Sequence, residues 1–264
     1  MFSQATPLIL TFNEAPNLRR TLEQLAWAKE IVIVDSFSTD ETLAIAKSSP
    51  QVQVVQRKFD SFAGQCNFGL AQIKTEWVLS LDADYVLSPE LVDEIGRLDG
   101  NAEAAGYQAR FNYCIHGCRL RGSLYPPRTV LYRKDKALYH NEGHGHRVQI
   151  AGLVRMLAGR INHDDRKPLE HWFREQIKYA GKEAKHLTET ANAELKKADR
   201  IRKKIILAPA LVFLYTLLVK GLILDGWPGC FYVFQRTLAE IILALLLIEE
   251  KLKTKSCHAD KPQC

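Results

Sequence analysis

Through the first hundred residues short apolar runs alternate with helical patterns, and that alternation restricts the fold more than any other feature. "PLILTF", "EIVIVD", "VQVVQR" and "EWVLSLD" read as four strands. Between them lie "APNLRRTLEQLAWA", with Leu18, Leu22 and Leu25 at helical spacing, then "STDETLAIAKSS" and "FAGQCNFGLAQI". Asp40 and Glu41 suit the start of the second helix, because a helix N-terminus favours negative charge. Strands separated by helices and short loops predict an α/β domain with a doubly wound, mostly parallel sheet. Ser88 and Pro89, a capping side chain followed by Pro at the first helical position, predict a further helix after the fourth strand.

In open sheets of this kind ligands bind at the carboxyl ends of the strands. Those ends carry "TFNE" (Thr11 to Glu14), "DSFSTD" (Asp35 to Asp40), Arg57, and "DAD" (Asp82 to Asp84). Each is polar where its strand is apolar, and four such ends predict one shared crevice. No glycine-rich loop of the dinucleotide or P-loop type is present, which argues against those sites.

From about 106 to 164 the pattern changes. "GYQARFNYCI" and "RTVLYRKD" read as strands, joined by Gly-, Pro- and Arg-rich connections. "NEGHGHRV" and "INHDDRK" bring His140, His144, His146 and His163 close to Glu142, Asp164 and Asp165. Glycines on both sides of His144 suggest a backbone shaped around something, against the plainer reading of a solvated, loop-rich segment.

The last third is helical. "PLEHWFREQIKYAGKEAKHLTETANAELKKAD" spaces Leu169, Trp172, Phe173, Ile177, Ala180 and Ala184 along one face. "KKADRIRKK" follows, with six basic residues and one acid, then fifteen residues from Ile205 whose only polar member is Thr216. Fifteen falls short of the roughly twenty residues a membrane-crossing helix needs. The second apolar stretch, "CFYVFQRTLAEIILALLLIEEK", carries Gln235, Arg236 and Glu240, which are costly in hydrocarbon. Helices lying at the membrane interface, with the basic run on anionic headgroups, are the reading preferred. The alternatives are true spanning helices, or a buried hairpin that joins two copies of the chain as a homo-oligomer. The expected organisation is 1–166 catalytic, 167–255 helical with the basic run and the interface helices, and 256–264 a flexible tail.

With 264 residues, 47% of them hydrophobic, the chain can bury a substantial core, and global disorder is excluded. The formal charge of +6 is modest and concentrated late, beside apolar sequence. That placement favours a membrane surface, and no nucleic acid is expected as a partner. The start, "MFSQATPLILTFNEAPN", lacks the basic region of a signal peptide, so a reducing setting and free thiols are expected for the six cysteines. "CIHGC" has neither zinc spacing nor a second pair nearby.

Taken together, "LILTFNEAPNLRRTLEQL", "EIVIVDSFSTDETLAIA", "FAGQCNFGL" and "EWVLSLDADYVLSPEL" resemble family 2 glycosyltransferases of the GT-A fold. They are especially similar to the bacterial lipopolysaccharide core β-1,4-glucosyltransferases. The resemblance covers roughly residues 5 to 165, in four motifs that agree in order and spacing. It implies an inverting, metal-dependent transfer of a sugar, glucose from UDP-glucose, to a lipopolysaccharide core or related lipid-linked acceptor. Thr11, Asn13, Glu14 and Asp35 would line the base and ribose site, with Arg57, Gln65 and Asn67 towards the base, ribose and diphosphate. "DAD" matches the DxD motif: Asp84 would contact Mg²⁺ or Mn²⁺, Asp82 the ribose or a metal-bound water, and His163 would complete the metal site.

A general base must take the proton from the acceptor hydroxyl. Many relatives carry a His-Glu pair here, whereas this chain follows His146 with Arg147. Glu142 is the first choice, and Asp165 and His146 are the alternatives. Arg128, in "SLYPPRTVLYR", would meet a phosphate or acidic sugar of the acceptor. The basic-then-apolar tail is similar to the attachment helices of enzymes acting on lipid-linked acceptors, which implies the cytoplasmic face of the inner membrane, held peripherally or monotopically. Two alternatives remain at this point: a polyprenyl-phosphate sugar transferase using Arg119, Arg121 and Arg128 for the lipid phosphate, and a non-catalytic, membrane-associated nucleotide-binding scaffold.

Overall fold

A computed structural model describes residues 1–100, 103–142 and 145–259, with the side chains of 142, 145, 146 and 254–259 outside the description. The chain divides into two compact units, Met1–Arg119 with Ser123–Lys167, and Leu120–Gly122 with Pro168–Cys264.

The first unit begins with three strand–helix repeats: β1 (Ala5–Thr11), α1 (Ala15–Glu23), β2 (Ile31–Asp35), α2 (Thr42–Lys47), β3 (Val52–Gln56) and α3 (Phe62–Gln72). Next come β4 (Trp77–Asp82), β5 (Tyr85–Leu87), α4 (Pro89–Arg97), β6 (Gly106–Ile115), β7 (Cys118–Arg119) and β8 (Arg128–Arg133). The strands β9 (Ala137–Glu142), β10 (Gly145–Ile150) and β11 (Val154–His163) complete it.

The central sheet runs β3-β2-β1-β4-β8-β6-β11-β5, with β7 on β6, while β9 and β10 form a separate antiparallel pair. From β3 to β4 all neighbours are parallel, as the alternating pattern predicts. Beyond β4 the sheet becomes mixed, because β8 pairs antiparallel with both β4 and β6. β9, β10 and β11 occupy a segment in which the sequence pattern predicts no strand.

β1, β2 and β4 are buried on both faces, as a parallel sheet covered on two sides requires. One core gathers Leu18 and Leu22 of α1, Leu25 in the turn after it, and Leu91 and Ile95 of α4 against Ile9, Ile33 and Leu79. The other sets Ala63, Cys66 and Leu70 of α3 against Leu8, Val32 and Val34. Each fully buried aliphatic side chain contributes roughly 1.5–3 kcal/mol relative to exposure. Gly69 lets α3 approach closely: a Cβ there would lie 2.5 Å from the Leu8 side chain. The predicted cap forms, Ser88 Oγ accepting from Leu91 N at 3.3 Å, and Ser61 Oγ caps α3 in the same way, accepting from Gly64 N at 3.0 Å. Cys66, Cys114, Cys118 and Cys230 carry no disulfide.

The second unit contains α5 (Leu169–Glu189), α6 (Lys197–Arg202), α7 (Leu207–Leu214) with a π-helical continuation through Val219, and α8 (Gly226–Ala259). Ala180, Ala184 and Leu187 of α5 pack with Leu243 and Leu247 of α8. The front of the predicted α5 stripe, Leu169, Phe173 and Ile177, stays exposed. Glu240 is buried and paired with Arg202 at 2.9 Å, and Arg202 also meets Glu183 at 3.1 Å. The acid that looked unsuited to an apolar helix is thus neutralised by protein. The stretch Leu222–Lys253 is long and apolar enough to cross a membrane by length and composition.

Candidate functional site

The strand ends of the first unit carry two clusters of polar side chains, where the sequence predicts one shared crevice. The first joins the ends of β1 and β2. Asp35 is fully buried; it accepts from Thr11 Oγ1 at 2.9 Å, Ser38 N at 2.9 Å, Ser38 Oγ at 2.5 Å and Gln56 Nε2 at 3.1 Å. Thr11 and Asp35 therefore brace the crevice wall, with their polar atoms already engaged.

Asn13 adopts a left-handed φ of 54°, which Asn tolerates better than most residues, and its Oδ1 accepts from Thr39 N at 2.8 Å. Phe37, a bulky residue, also sits at positive φ, 61°. Its ring and that of Phe12 are about half exposed at the two strand ends. Sequence reasoning passed over both rings; their signal is an apolar aromatic in each otherwise polar loop.

Arg57 spends its guanidinium fork on Asp60 at 2.7 and 2.8 Å, which holds the Asp60 carboxyl at about 2. Gln65 donates to Ser36 Oγ and the Arg57 carbonyl, and Asn67 makes a two-bond clamp on the backbone of Tyr139. Of these three expected ligand contacts, Gln65 and Asn67 are used to fix α3 and β9 in place. The sequence gives no sign of the Asn67 clamp, because Tyr139 lies 72 residues along the chain.

The second cluster is centred on "DAD". Asp84 Oδ2 lies 3.0 Å from His163 Nε2, bringing β11's last residue to the motif as the resemblance implies. Asp84 Oδ1 and His163 Nδ1 are buried with no hydrogen-bond partner. Burial alone would raise the Asp84 carboxyl, yet His163 holds it below the usual range. Burial would lower the His163 imidazole, but Asp84 raises it.

Asp82 is half-exposed, with Arg128 at 4.0 Å. Between the two aspartates runs a stack: the Tyr125 ring lies 4.6 Å from the His163 ring, nearly parallel, and 5.0 Å from the Arg128 guanidinium. Tyr113 and Tyr85 meet His163 edge-on at 4.8 and 5.5 Å, and the Tyr85 hydroxyl hydrogen-bonds that of Tyr125. Sequence reasoning misses this aromatic box, although the resemblance sets "SLYPPR" at the acceptor side.

Glu14 is turned away from solvent, its carboxylate 2.5 Å from Lys167 Nζ and 3.0 Å from Asn17 Nδ2. Burial pushes its carboxyl up to about 7 in spite of Lys167. Asp165 accepts from Asn17 Nδ2 at 2.8 Å and from Lys167 N at 3.0 Å. Glu14 and Asp165 are thereby linked through Asn17. Glu142 and His146 belong to the β9–β10 pair, and their side chains, like all of His144, lie outside the described residues.

Asp84 and His163 fit a hard divalent cation. One orphaned carboxylate oxygen in a buried position is the kind of atom such a cation satisfies. Among the described residues no group of three His, Cys, Asp or Glu side chains converges. Two protein ligands would leave positions open for phosphate and water oxygens, as Mg²⁺ and Mn²⁺ sites on nucleotides commonly do.

Residues 8–157 match the family model for Glycosyl transferase family 2. Lipopolysaccharide core biosynthesis glycosyltransferase LpsC of Rhizobium meliloti (strain 1021) is 30% identical over 237 residues, 84% of this chain and 83% of that protein. An uncharacterized glycosyltransferase of Rickettsia bellii is 34% identical over 140 residues, and there the chain spans about half the relative's length, 47%. Among solved structures, residues 1–349 of S. aureus TarS in complex with UDP-GlcNAc overlap with TM-score 0.47 and 13% identity, covering 90% of each chain. Glucosyl-3-phosphoglycerate synthase from Mycobacterium tuberculosis, in complex with Mn²⁺, UDP and phosphoglyceric acid, gives TM-score 0.44 and 14% identity over 64% of this chain and 72% of that one. Structural likeness at these values carries nothing about chemistry.

Proposed function

The chain belongs to glycosyl transferase family 2, and on that premise we propose that it transfers glucose from UDP-glucose, with inversion, to a lipopolysaccharide core or related lipid-linked acceptor. The observation that carries this reading is the pairing of Asp84 with His163, with Asp84 Oδ1 buried and unpartnered. Asp84 and His163 would hold Mg²⁺ or Mn²⁺, which supplies positive charge against the departing diphosphate.

The chain's own residues account for the remaining needs. Phe12 and Phe37 offer apolar faces to a base, between loops braced by Asp35 and Asn13. Arg128, held on the Tyr125 ring beside Asp82, presents a guanidinium to a phosphate or acidic sugar. Glu142 is assigned the proton from the acceptor hydroxyl, with Asp165 and His146 as the alternatives. The exposed apolar helices of the second unit support attachment to the cytoplasmic surface of a membrane, where a lipid-linked acceptor would lie.

The test is UDP release from a panel of UDP-sugars, with and without core oligosaccharide and Mn²⁺. UDP-glucose with core oligosaccharide should give the fastest, metal-stimulated release. Asp84→Ala should lower it by about 10³-fold or more with an unchanged circular-dichroism spectrum, in line with the loss of transition-state charge stabilisation. Full metal-stimulated activity in that variant would overturn the mechanism.

A further inference from the structure

Successive residues of a strand face opposite sides of its sheet. On β6 and β11, Tyr113 and His163 face the Asp84 side, so Asn112, Cys114 and Asn162 face the other. There, between α1, α4 and these strands, lies a cavity of about 700 Å³. Neither Asp82 nor Asp84 lines it, but four guanidiniums do: Arg20, Arg119, Arg160 and Arg166.

Their charge is incompletely answered. Arg20 and Arg166 converge on one buried carboxylate oxygen, Asp164 Oδ2, at 2.8 and 2.9 Å. The other oxygen of Asp164 accepts from Gly117 N at 3.0 Å. Arg20 Nε is buried without an acceptor. Arg119 and Arg160 are exposed and make no side-chain hydrogen bond or ion pair among the described residues. The remaining carboxylates, Glu23 and Glu90, are exposed and solvated. Asn112 Nδ2 donates to Asn162 Oδ1 at 2.9 Å, which orients the Asn162 amide on the cavity floor.

We propose that this cavity is a second anion site, which takes a phosphomonoester or diphosphate group without a metal ion. Guanidinium forks match pairs of phosphate oxygens, and charge-assisted bonds of this kind are among the stronger ones available. The volume is that of a small-molecule site. Occupancy would be felt on the opposite face of the sheet. Asp164 follows His163 in the chain, its backbone N donates to the Asp84 carbonyl at 3.2 Å, and an anion competes with Asp164 for Arg20 and Arg166.

Calorimetric titration of the full chain with inorganic pyrophosphate, in excess chelator, tests the site. Wild type and Asp84→Ala should bind alike, and Arg119→Gln/Arg160→Gln should bind at least tenfold more weakly. Both arginines are exposed, so the double variant should keep its circular-dichroism spectrum and melting temperature. Displacement by a sugar phosphate but not by UDP assigns the site to a phosphorylated saccharide; displacement by UDP assigns it to a nucleotide. The proposal is overturned if wild type binds no pyrophosphate without metal. It also fails if the double variant binds as wild type does, or if Asp84→Ala alone abolishes binding.

Discussion

Glu14 illustrates how a residue beside a ligand site can act on stability. Its carboxyl titrates near 7 in the folded chain against an ordinary value of 4.5, so the folded state binds this proton more tightly than the unfolded state. The stabilisation is fully present below the ordinary value and is lost as pH rises through about 7. Glu14→Gln should flatten the decline in stability between pH 5 and 8, by on the order of 1–3 kcal/mol relative to wild type. Urea unfolding at several pH values measures this, and parallel profiles for the two proteins would refute it. Phe37 makes a different prediction. Its ring sits on a left-handed backbone, which costs a bulky residue roughly 1–2 kcal/mol and suits Asn better. Phe37→Asn should leave the melting temperature equal or higher while weakening UDP binding several-fold, read by calorimetry; unchanged affinity would remove the ring from the base site. The polar residues at these strand ends were legible in sequence because each breaks an apolar run. The Arg128–Tyr125–His163 stack was not, since it is assembled from "SLYPPR" and "INHDD", segments with no local signal that they meet.

Helices and strands followed the same division. α1 to α4 and β1 to β4 carry periodic apolar residues, and α3 and α4 add side-chain caps, so local rules place them. β11 alternates buried Leu157, Gly159 and Ile161 with exposed residues, but Arg, Gly and Asn dilute the pattern into an apparent loop. Its glycine is what allows the strand to pass under α4: a Cβ at Gly159 would lie 2.6 Å from Leu91 Cα. The neighbour is backbone and cannot rotate away. Gly159→Ala should therefore push α4 from β11 and destabilise the chain by about 1–3 kcal/mol, the usual cost of overpacking. Urea denaturation gives the number, and a variant as stable as wild type would show that α4 yields freely. Because β11 ends in His163, the same variant should also weaken metal-stimulated UDP release.

The second unit leaves an unusual amount of apolar surface uncovered. Ile206, Val219 and Trp227 are 80%, 72% and 86% exposed, and Leu211, Leu218, Ile223 and Leu224 are exposed with them. Exposed patches of this kind mark a partner or a membrane. Its charges point to the membrane. Arg202 is drawn inward to Glu240 and Glu183, whereas Lys197 and Lys204 stay exposed beside the apolar helices. Basic residues next to exposed apolar ones suit anionic headgroups over acyl chains. The full chain should co-float with vesicles containing phosphatidylglycerol, less so as salt rises, with a blue shift in tryptophan emission. Trp227→Glu removes a large apolar side chain and adds a charge, a loss of about 2–3 kcal/mol from burial alone, which is roughly 30- to 140-fold in partitioning. Trp227 is almost wholly exposed, so the substitution should leave folding intact. If neither protein binds vesicles and the wild-type chain sediments as a dimer that Trp227→Glu dissociates, the apolar face joins two copies of the chain and the membrane reading fails.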